Sequence, residues 1–241
     1  MENISYVGIS QQTSLTQQME VTANNLANMS TPGYKAQSTL FTDYVTADNA
    51  KEKLHQTQNF ATYRDLSLGN LQQTHNKLDM AISGDGYFAV STANGVRYTR
   101  DGGFALNLNH ELVSKTGNLL LSQNGNPIAI PPDATQITIA DDGTIASEFG
   151  DLGRVKVATF ANPQALVKEG DNLYNAGTQA ELPADNMHIE QGVLEGSNVS
   201  PVVEMNRMVE LMRMFQAAQN MLLTDHDRIR GAIQKLTSIN G

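Results

Sequence analysis

The 241-residue chain has no cysteine and no tryptophan, and only 6% of it is aromatic. Without cysteine, disulfides and thiolate metal sites are excluded. With seven tyrosines, seven phenylalanines and no indole, there is little material for stacking sugar rings. Positive charge is also scarce: 16 Lys and Arg stand against 25 Asp and Glu, a net charge of −9. No basic cluster stands out, which argues against nucleic-acid binding, because phosphate contacts need concentrated Lys and Arg. No apolar run reaches the roughly 18 residues of a membrane span. The start, Met1-Glu2-Asn3-Ile4-Ser5, lacks the basic and apolar regions of a secretory signal, so no cleaved Sec signal peptide is expected.

Catalytic patterns are equally thin. His55, His75, His110, His188 and His226 are isolated from one another, and none forms a pair at ligand spacing. There is no nucleophile elbow and no Walker loop. Gly84-Asp85-Gly86 lacks the third glycine of a dinucleotide fingerprint and reads as a tight turn before Tyr87. Asp141-Asp142-Gly143 lacks the alternating oxygens of a calcium loop and reads as a hairpin turn. Nothing singles out two carboxylates for glycoside chemistry. The expectation is a protein without enzymatic activity, cofactor or metal.

Two helical segments are present, one at each end. Across residues 4–29, Leu15, Met19, Thr22, Leu26 and Met29 recur at spacings of 4, 3, 4 and 3, the spacing of a coiled-coil seam. The other faces carry Gln11, Gln12, Thr13, Ser14, Thr16, Gln17, Gln18, Asn24 and Asn25, with Glu2 and Glu20 the sole charges. A solvated helix normally uses Lys and Glu there. Amides and hydroxyls suit a helix covered by neighbours, since they form hydrogen bonds without a charge to desolvate. Alternatively the segment is a loosely helical tail, because such a helix is marginal without packing. Thr31-Pro32-Gly33 ends it, the residue before proline being disfavoured in the α region.

At the other end, Ser200-Pro201 reads as an N-cap followed by proline at the first helical position. A helix then runs to about residue 236, roughly 50 Å long. Val202, Met205, Val209 and Met212 form a 3, 4, 3 seam, continued by Leu222, Ile229, Ile233 and Leu236 after a phase shift near residues 215–218. Glu204–Arg207 and Glu210–Arg213 are expected as i,i+3 ion pairs. Met205, Met208, Met212, Met214 and Met221 are either ordinary core or an adaptable interface, since methionine fits irregular gaps. The β domain cannot cover so long a helix, so the N-terminal helix is the expected partner.

Residues 80–197 carry hairpin signals: Asn94-Gly95, Asn124-Gly125 and Asp142-Gly143 lie between short apolar runs. Strands recurring every 8–12 residues argue for an antiparallel domain. The expected fold class is α+β, with long N- and C-terminal helices pairing as a coiled coil around a central antiparallel β domain. Its divisions are a helix in 1–35, a connecting region without firm structure in 36–79, a β domain in 80–197 and a helix in 198–241.

Five ordered motifs resemble those of the bacterial flagellar rod and hook proteins. They are Ala23-Asn24-Asn25-Leu26-Ala27-Asn28-Met29-Ser30-Thr31-Pro32-Gly33-Tyr34-Lys35; Leu78-Asp79-Met80-Ala81-Ile82-Ser83-Gly84-Asp85-Gly86-Tyr87-Phe88; Tyr98-Thr99-Arg100-Asp101-Gly102-Gly103-Phe104; Leu112-Val113-Ser114-Lys115-Thr116-Gly117; and Leu194-Glu195-Gly196-Ser197-Asn198-Val199. Asn24, Asn25, Leu26, Ala27, Asn28, Pro32, Gly33, Tyr34, Ser197, Asn198 and Val199 are its motif residues. The length suits a rod protein. Met212-Arg213-Met214-Phe215-Gln216 departs from the Gln-Arg-Ala-Tyr-Glu usual in the distal-rod type and favours the proximal-rod type.

The resemblance implies a structural subunit exported without a cleaved signal by the flagellar type III apparatus. It implies assembly in the periplasm with itself and other rod subunits into a tubular shaft, its terminal helices innermost. Leu15, Met19, Leu26, Met29, Val202, Met205, Val209, Met212, Leu222 and Ile229 are the expected assembly interface, the first four packing against the C-terminal set. The alternatives are a distal rod subunit, a secreted β-domain binding module that recognises a ligand or cell-wall glycan, and a peptidoglycan hydrolase.

Overall fold

A computed structural model describes residues 2–48, 52–184 and 187–239, with side chains except at 2–7, 41–48, 52–60, 232–233 and 236–239. The chain forms two compact units. The first, unit 1, comprises Met1–Ala27, Gln37–Asp65 and Ser200–Gly241; the second, unit 2, comprises Asn28–Ala36 and Leu66–Val199. The backbone therefore passes from one unit to the other four times.

Unit 1 holds both long helices, α1 (Glu2–Ala27) and α2 (Pro201–Ile239). Ser200 contributes its carbonyl to the first turn of α2, accepting from the Glu204 N–H at 3.0 Å. The helices pack antiparallel. Leu15 joins Leu211 and Ala218 in one apolar cluster, with Met19 and Phe215 against it. Earlier on α1, Gly8 lies so close to α2 that an added Cβ would fall 2.5 Å from Leu222 Cδ2. The covered face of α2 thus runs through Met208, Leu211, Phe215, Ala218, Leu222, Asp225 and Ile229, all buried or half-buried.

That stripe includes the expected Leu222 and Ile229 but differs from the expected one before them. Val202, Met205, Val209 and Met212 are exposed, and they pack on nothing in the cluster that joins the helices. The observed stripe keeps its 3 and 4 spacing through residues 215–218, so no phase shift is needed there. It was obscured because it includes a small residue, Ala218, and a charged one, Asp225. The further seam positions Ile233 and Leu236 lie outside the described side chains. The i,i+3 ion pair found on α2 is Asp225–Arg228, at 2.6 Å, and neither Glu204–Arg207 nor Glu210–Arg213 is among the described ion pairs.

The segment expected as a connecting region contains a long antiparallel hairpin. Its strands, β1 (Gln37–Asp48) and β2 (Glu52–Arg64), pair from Gln37↔Arg64 to Asp48↔Glu52, with a register shift between Leu40 and Phe41. The extra residue of that shift is residue 60, on β2. The first strand is hard to read for a simpler reason: Leu40-Phe41 and Tyr44-Val45 are adjacent apolar pairs, so its sequence shows no clean alternation. Both strands pack along α1.

Unit 2 is antiparallel throughout. Its strands are β3 (Leu71–Gln73), β4 (Met80–Ser83), β5 (Tyr87–Thr92), β6 (Gly95–Thr99), β7 (Phe104–Leu106), β8 (Leu112–Ser114), β9 (Leu119–Leu120), β10 (Ile137–Ile139), β11 (Thr144–Ser147), β12 (Gly150–Arg154), β13 (Val157–Thr159), β14 (Val167–Lys168), β15 (Tyr174–Asn175), β16 (Leu182–Pro183), β17 (His188–Gln191) and β18 (Val193–Glu195). The largest sheet runs β14-β15-β6-β5-β9-β8-β7, with β13 bridging β5 and β16. A second sheet orders β10-β11-β12, and β17 and β18 return to pair with β4 and β3. The Asn94-Gly95 and Asp142-Gly143 turns join β5 to β6 and β10 to β11, as expected.

Strand β5 is the centre of this unit. Successive strand side chains point to opposite faces, and here both faces are covered. Phe88 and Val90 enter a cluster with Met80, Ile82, Phe104, Leu112, Leu120 and Ile145. Tyr87 and Ala89 enter a second with Tyr98, Phe160, Leu166 and Tyr174. Edge-to-face rings join each: Phe88–Phe104 at 5.4 Å and Tyr98–Phe160 at 4.8 Å.

Candidate functional site

The motif residues fold into a buried clasp in unit 2. It gathers three stretches distant in sequence: 28–36, 66–69 and 195–199. Gly33 turns the first stretch with φ +66 and donates its N–H to the Glu195 carbonyl at 2.7 Å. A Cβ at Gly33 would sit 2.4 Å from the Arg100 carbonyl carbon, so both the conformation and the space demand glycine. Tyr34 is fully buried, with Lys168 Nζ 3.9 Å above its ring. Its carbonyl accepts from the Asn198 N–H at 3.3 Å. The Asn198 side chain closes the ring: Oδ1 accepts from the Ala36 N–H at 2.7 Å, and Nδ2 donates to the Ser67 carbonyl at 3.2 Å. Asn172 Nδ2 donates to the Pro32 carbonyl at 3.0 Å.

Beneath this backbone lies an ionic cluster that the motif reading missed. Glu195 Oε1 accepts from Lys35 Nζ at 2.5 Å and from the Gly69 N–H at 3.0 Å. Its other oxygen faces Arg100 Nε at 3.3 Å. Lys35 also donates to the Ser67 carbonyl at 2.8 Å, and Arg100 Nη2 to the Gly84 carbonyl at 2.8 Å. Side-chain exposure is 2% for Lys35, 1% for Glu195 and 6% for Arg100. Charges this deep persist only where partners replace water. Beside them, burial pushes the Asp101 carboxyl up, against the opposing hydrogen bond from the Gly103 N–H.

The clasp has a clear physical use. Its three stretches hold the unit 2 end of every backbone passage between the units: 27/28 and 36/37, 65/66, and 199/200. In unit 1, Asn25 does a related job. Its side chain donates to the Gln37 carbonyl at 2.8 Å and accepts from the Gln37 N–H at 2.9 Å, tying the end of α1 to the start of β1. Asn28 accepts from the Thr31 hydroxyl at 3.2 Å, and Ser197 Oγ from the Val199 N–H at 3.2 Å. Pro32 and Val199 thus fall within the clasp, Leu26 is half-buried on α1, and Asn24 and Ala27 are exposed.

Lys35 and Glu195 were legible as lone charges inside motif runs, and Arg100 stood beside Asp101 in a third, but nothing local says that residues 35 and 195 meet. The second group of candidates lies apart from the clasp, on the helices of unit 1. Leu15, Met19, Leu222 and Ile229 are buried or half-buried there. Met29, in unit 2, is 44% exposed, whereas Val202, Met205, Val209 and Met212 are 65%, 48%, 43% and 45% exposed. Among the described residues no group of His, Asp or Glu could hold a metal ion, and no helix is long and apolar enough to cross a membrane.

A twin-helix unit built with a clasped β unit, its chemistry invested in packing, defines a structural protein. Comparison with known proteins agrees. Residues 6–35 match the flagella basal body rod protein family, 81–147 the flagellar hook protein FlgE/F/G D1 domain, and 190–235 the flagellar basal body rod FlgEFG protein C-terminal family. The chain is 32% identical to the flagellar basal-body rod protein FlgF of Caulobacter vibrioides and 33% identical to that of Salmonella typhimurium, in both cases over the whole of each chain. It is 33% identical to FlgG of Bacillus subtilis over 92% of this chain and 94% of the other. The chain belongs to the flagellar basal-body rod protein family and is of FlgF type: a structural protein, not an enzyme.

Proposed function

We propose that the chain is a proximal-rod subunit that reaches the periplasm by type III export without a cleaved signal. There it polymerises through its terminal helices, paired as a coiled coil, with itself and other rod subunits. One observation carries this reading. The apolar stripe Val202, Met205, Val209 and Met212 stands exposed on α2 while the neighbouring stripe is used by α1. A contiguous apolar surface of this kind marks an interaction site, and methionine adapts to non-identical neighbours. The exposed amides and hydroxyls of α1, including Gln11, Thr13, Thr16 and Gln17, support the same reading, because they can be covered without burying a charge.

On this reading the expected interface divides in two. Leu15, Met19, Leu222 and Ile229 hold α1 to α2 within one chain, and Leu26 extends that contact. Met29, Val202, Met205, Val209 and Met212 meet neighbouring subunits. Rod contacts are heterologous, so two different faces contribute. Val209→Asp is expected to abolish swimming while the purified variant melts like the parent, since a carboxylate is tolerated in water but not in an apolar interface. Normal motility of this variant would overturn the proposal.

The similarity to FlgG of Bacillus subtilis favours a second reading, a distal position. Crosslinking to neighbours of known position in isolated basal bodies separates the two.

A further inference from the structure

Among the described residues five methionines are exposed: Met29 and, on α2, Met205, Met212, Met214 and Met221. The four on α2 are regularly spaced. Met205 and Met212 are seven residues apart, as are Met214 and Met221, so each pair lies along one side of the helix, about two turns apart. From Met205 to Met214, and from Met212 to Met221, is nine residues, about two and a half turns, so the pairs face opposite sides. The stripe covered by α1 runs between them. Exposed apolar residues accompany each pair: Val202 and Val209 beside the first, Val203 beside the second. Helix α2 thus carries an apolar line on either side of its seam with α1, and each line holds two thioethers in water. With no cysteine and no tryptophan in the chain, sulfur oxidation falls on methionine alone. Met80 and Met187, by contrast, are buried in the core of unit 2.

We propose that Met205, Met212, Met214 and Met221 are sites of reversible oxidation by hydrogen peroxide, and that their sulfoxides block assembly of the subunit. In each event the O–O bond of the peroxide breaks and an S–O bond forms; the sulfur loses two electrons and the peroxide leaves as water. The product is a polar sulfoxide, which methionine sulfoxide reductases return to the thioether. On the free subunit the added oxygen is solvated, so the fold is untouched. In an apolar contact it meets no donor, and burying it there is unfavourable. Head-to-tail contacts use two different faces, so oxidation of either pair is enough to stop growth. The sites rest on exposure and spacing alone; the block to assembly rests on the rod-subunit reading above.

Two measurements on the full chain test this. In the first, the purified protein is treated with hydrogen peroxide, and oxygen uptake at each methionine is followed by peptide mass spectrometry. The four sites on α2 are expected to oxidise at least about tenfold faster than Met80 and Met187, because oxidation follows access to the sulfur. Methionine sulfoxide reductases of both stereospecificities are expected to reverse the uptake. Equal rates at exposed and buried methionines, or uptake on α2 that the reductases leave in place, would overturn the sites.

In the second, glutamine, polar and of similar length, replaces Met205 with Met212 or Met214 with Met221. Leucine replaces the same pairs in parallel, and basal bodies are isolated from each strain. Each glutamine pair is expected to lower the incorporated chain at least about tenfold while the purified variant melts like the parent. The leucine pairs, apolar and of similar volume, are expected to incorporate normally. Normal incorporation of either glutamine variant, equal loss in the leucine variants, or a lowered melting temperature that places the loss in folding overturns the block and leaves the rod-subunit reading intact. Absence of the parent chain from basal bodies would overturn that reading, and the block with it.

Discussion

Unit 2 and unit 1 are held together by different means. Unit 2 buries both faces of its central strand, where Tyr87, Phe88, Ala89 and Val90 are all inaccessible, and it can bury a Lys–Glu–Arg cluster because its backbone carbonyls and N–H groups replace the lost water. Unit 1 joins two long helices through a cluster of three buried residues, Leu15, Leu211 and Ala218, and leaves a second apolar stripe of α2 in solvent. Burial of apolar area is the main favourable contribution to folding. Among the described side chains, the comparison therefore separates a unit that covers its central strand from one that leaves an apolar stripe of its long helix open, which is the form expected of a polymerising end.

The largest effect should come from Glu195→Ala. Removing the shared carboxylate leaves Lys35 and Arg100 buried without a counter-charge, a change that costs about 3–5 kcal/mol. Chemical denaturation followed by tyrosine fluorescence, in a chain with no tryptophan, would show the loss. An unchanged midpoint would mean that water reaches the cluster and that the comparison is drawn too sharply. Phe88→Ala is expected to cost about 3–5 kcal/mol, and Leu211→Ala in unit 1 about 2–3 kcal/mol, near the low end for a leucine truncation. If Leu211→Ala proved the more damaging, unit 1 would be the better packed of the two.

Gly33→Ala is expected to destabilise by about 1–3 kcal/mol, since alanine is strained at positive φ and its Cβ would meet the Arg100 backbone. Thermal melts of the two proteins give this difference directly. Val209→Asp stands lower still, within about 0.5 kcal/mol of the parent for an exposed position, despite its large expected effect on motility. That split between stability and swimming is the sharpest expression of the difference between the units.

The smallest effect is a pH dependence at an edge of unit 2. Glu148 accepts from the Thr135 N–H at 2.7 Å and the Gln136 N–H at 3.1 Å, and these bonds hold its carboxyl down to about 2. A depressed carboxylate stabilises the fold above its ordinary value and ceases to do so as pH falls through the lowered one. Protection of Thr135 and Gln136 against hydrogen exchange, taken relative to the intrinsic rate at each pH, should therefore fall between about pH 4.5 and pH 2, ahead of β5. Uniform exchange across unit 2 would show that this carboxylate does not anchor the β10–β11 edge.

Much of the architecture was legible from local chemistry. Proline at 32 and 201 bounded the helices, and Asn94-Gly95 and Asp142-Gly143 located hairpins through their need for positive φ. The β1–β2 hairpin was not, because apolar residues fall in adjacent pairs, Leu40-Phe41 and Tyr44-Val45, and give no alternation on which strand recognition could rest. The covered stripe of α2 was legible only in part: a 3, 4 spacing fits two adjacent stripes, and both carry apolar residues. A sequence meant for assembly puts good apolar residues where a single chain has nothing to cover them, so hydrophobicity alone does not say which stripe α1 covers.

The sequence by itself determined the two terminal helices, the antiparallel strands of residues 80–197 and the absence of cysteine chemistry, since these follow from residue type and short-range spacing. Only the tertiary structure decided that Lys35, Arg100 and Glu195 form one buried cluster and which face of α2 meets α1. Those outcomes depend on bringing residues up to 160 positions apart into a dry interior, where the energy of a charge is set by neighbours that no local pattern encodes.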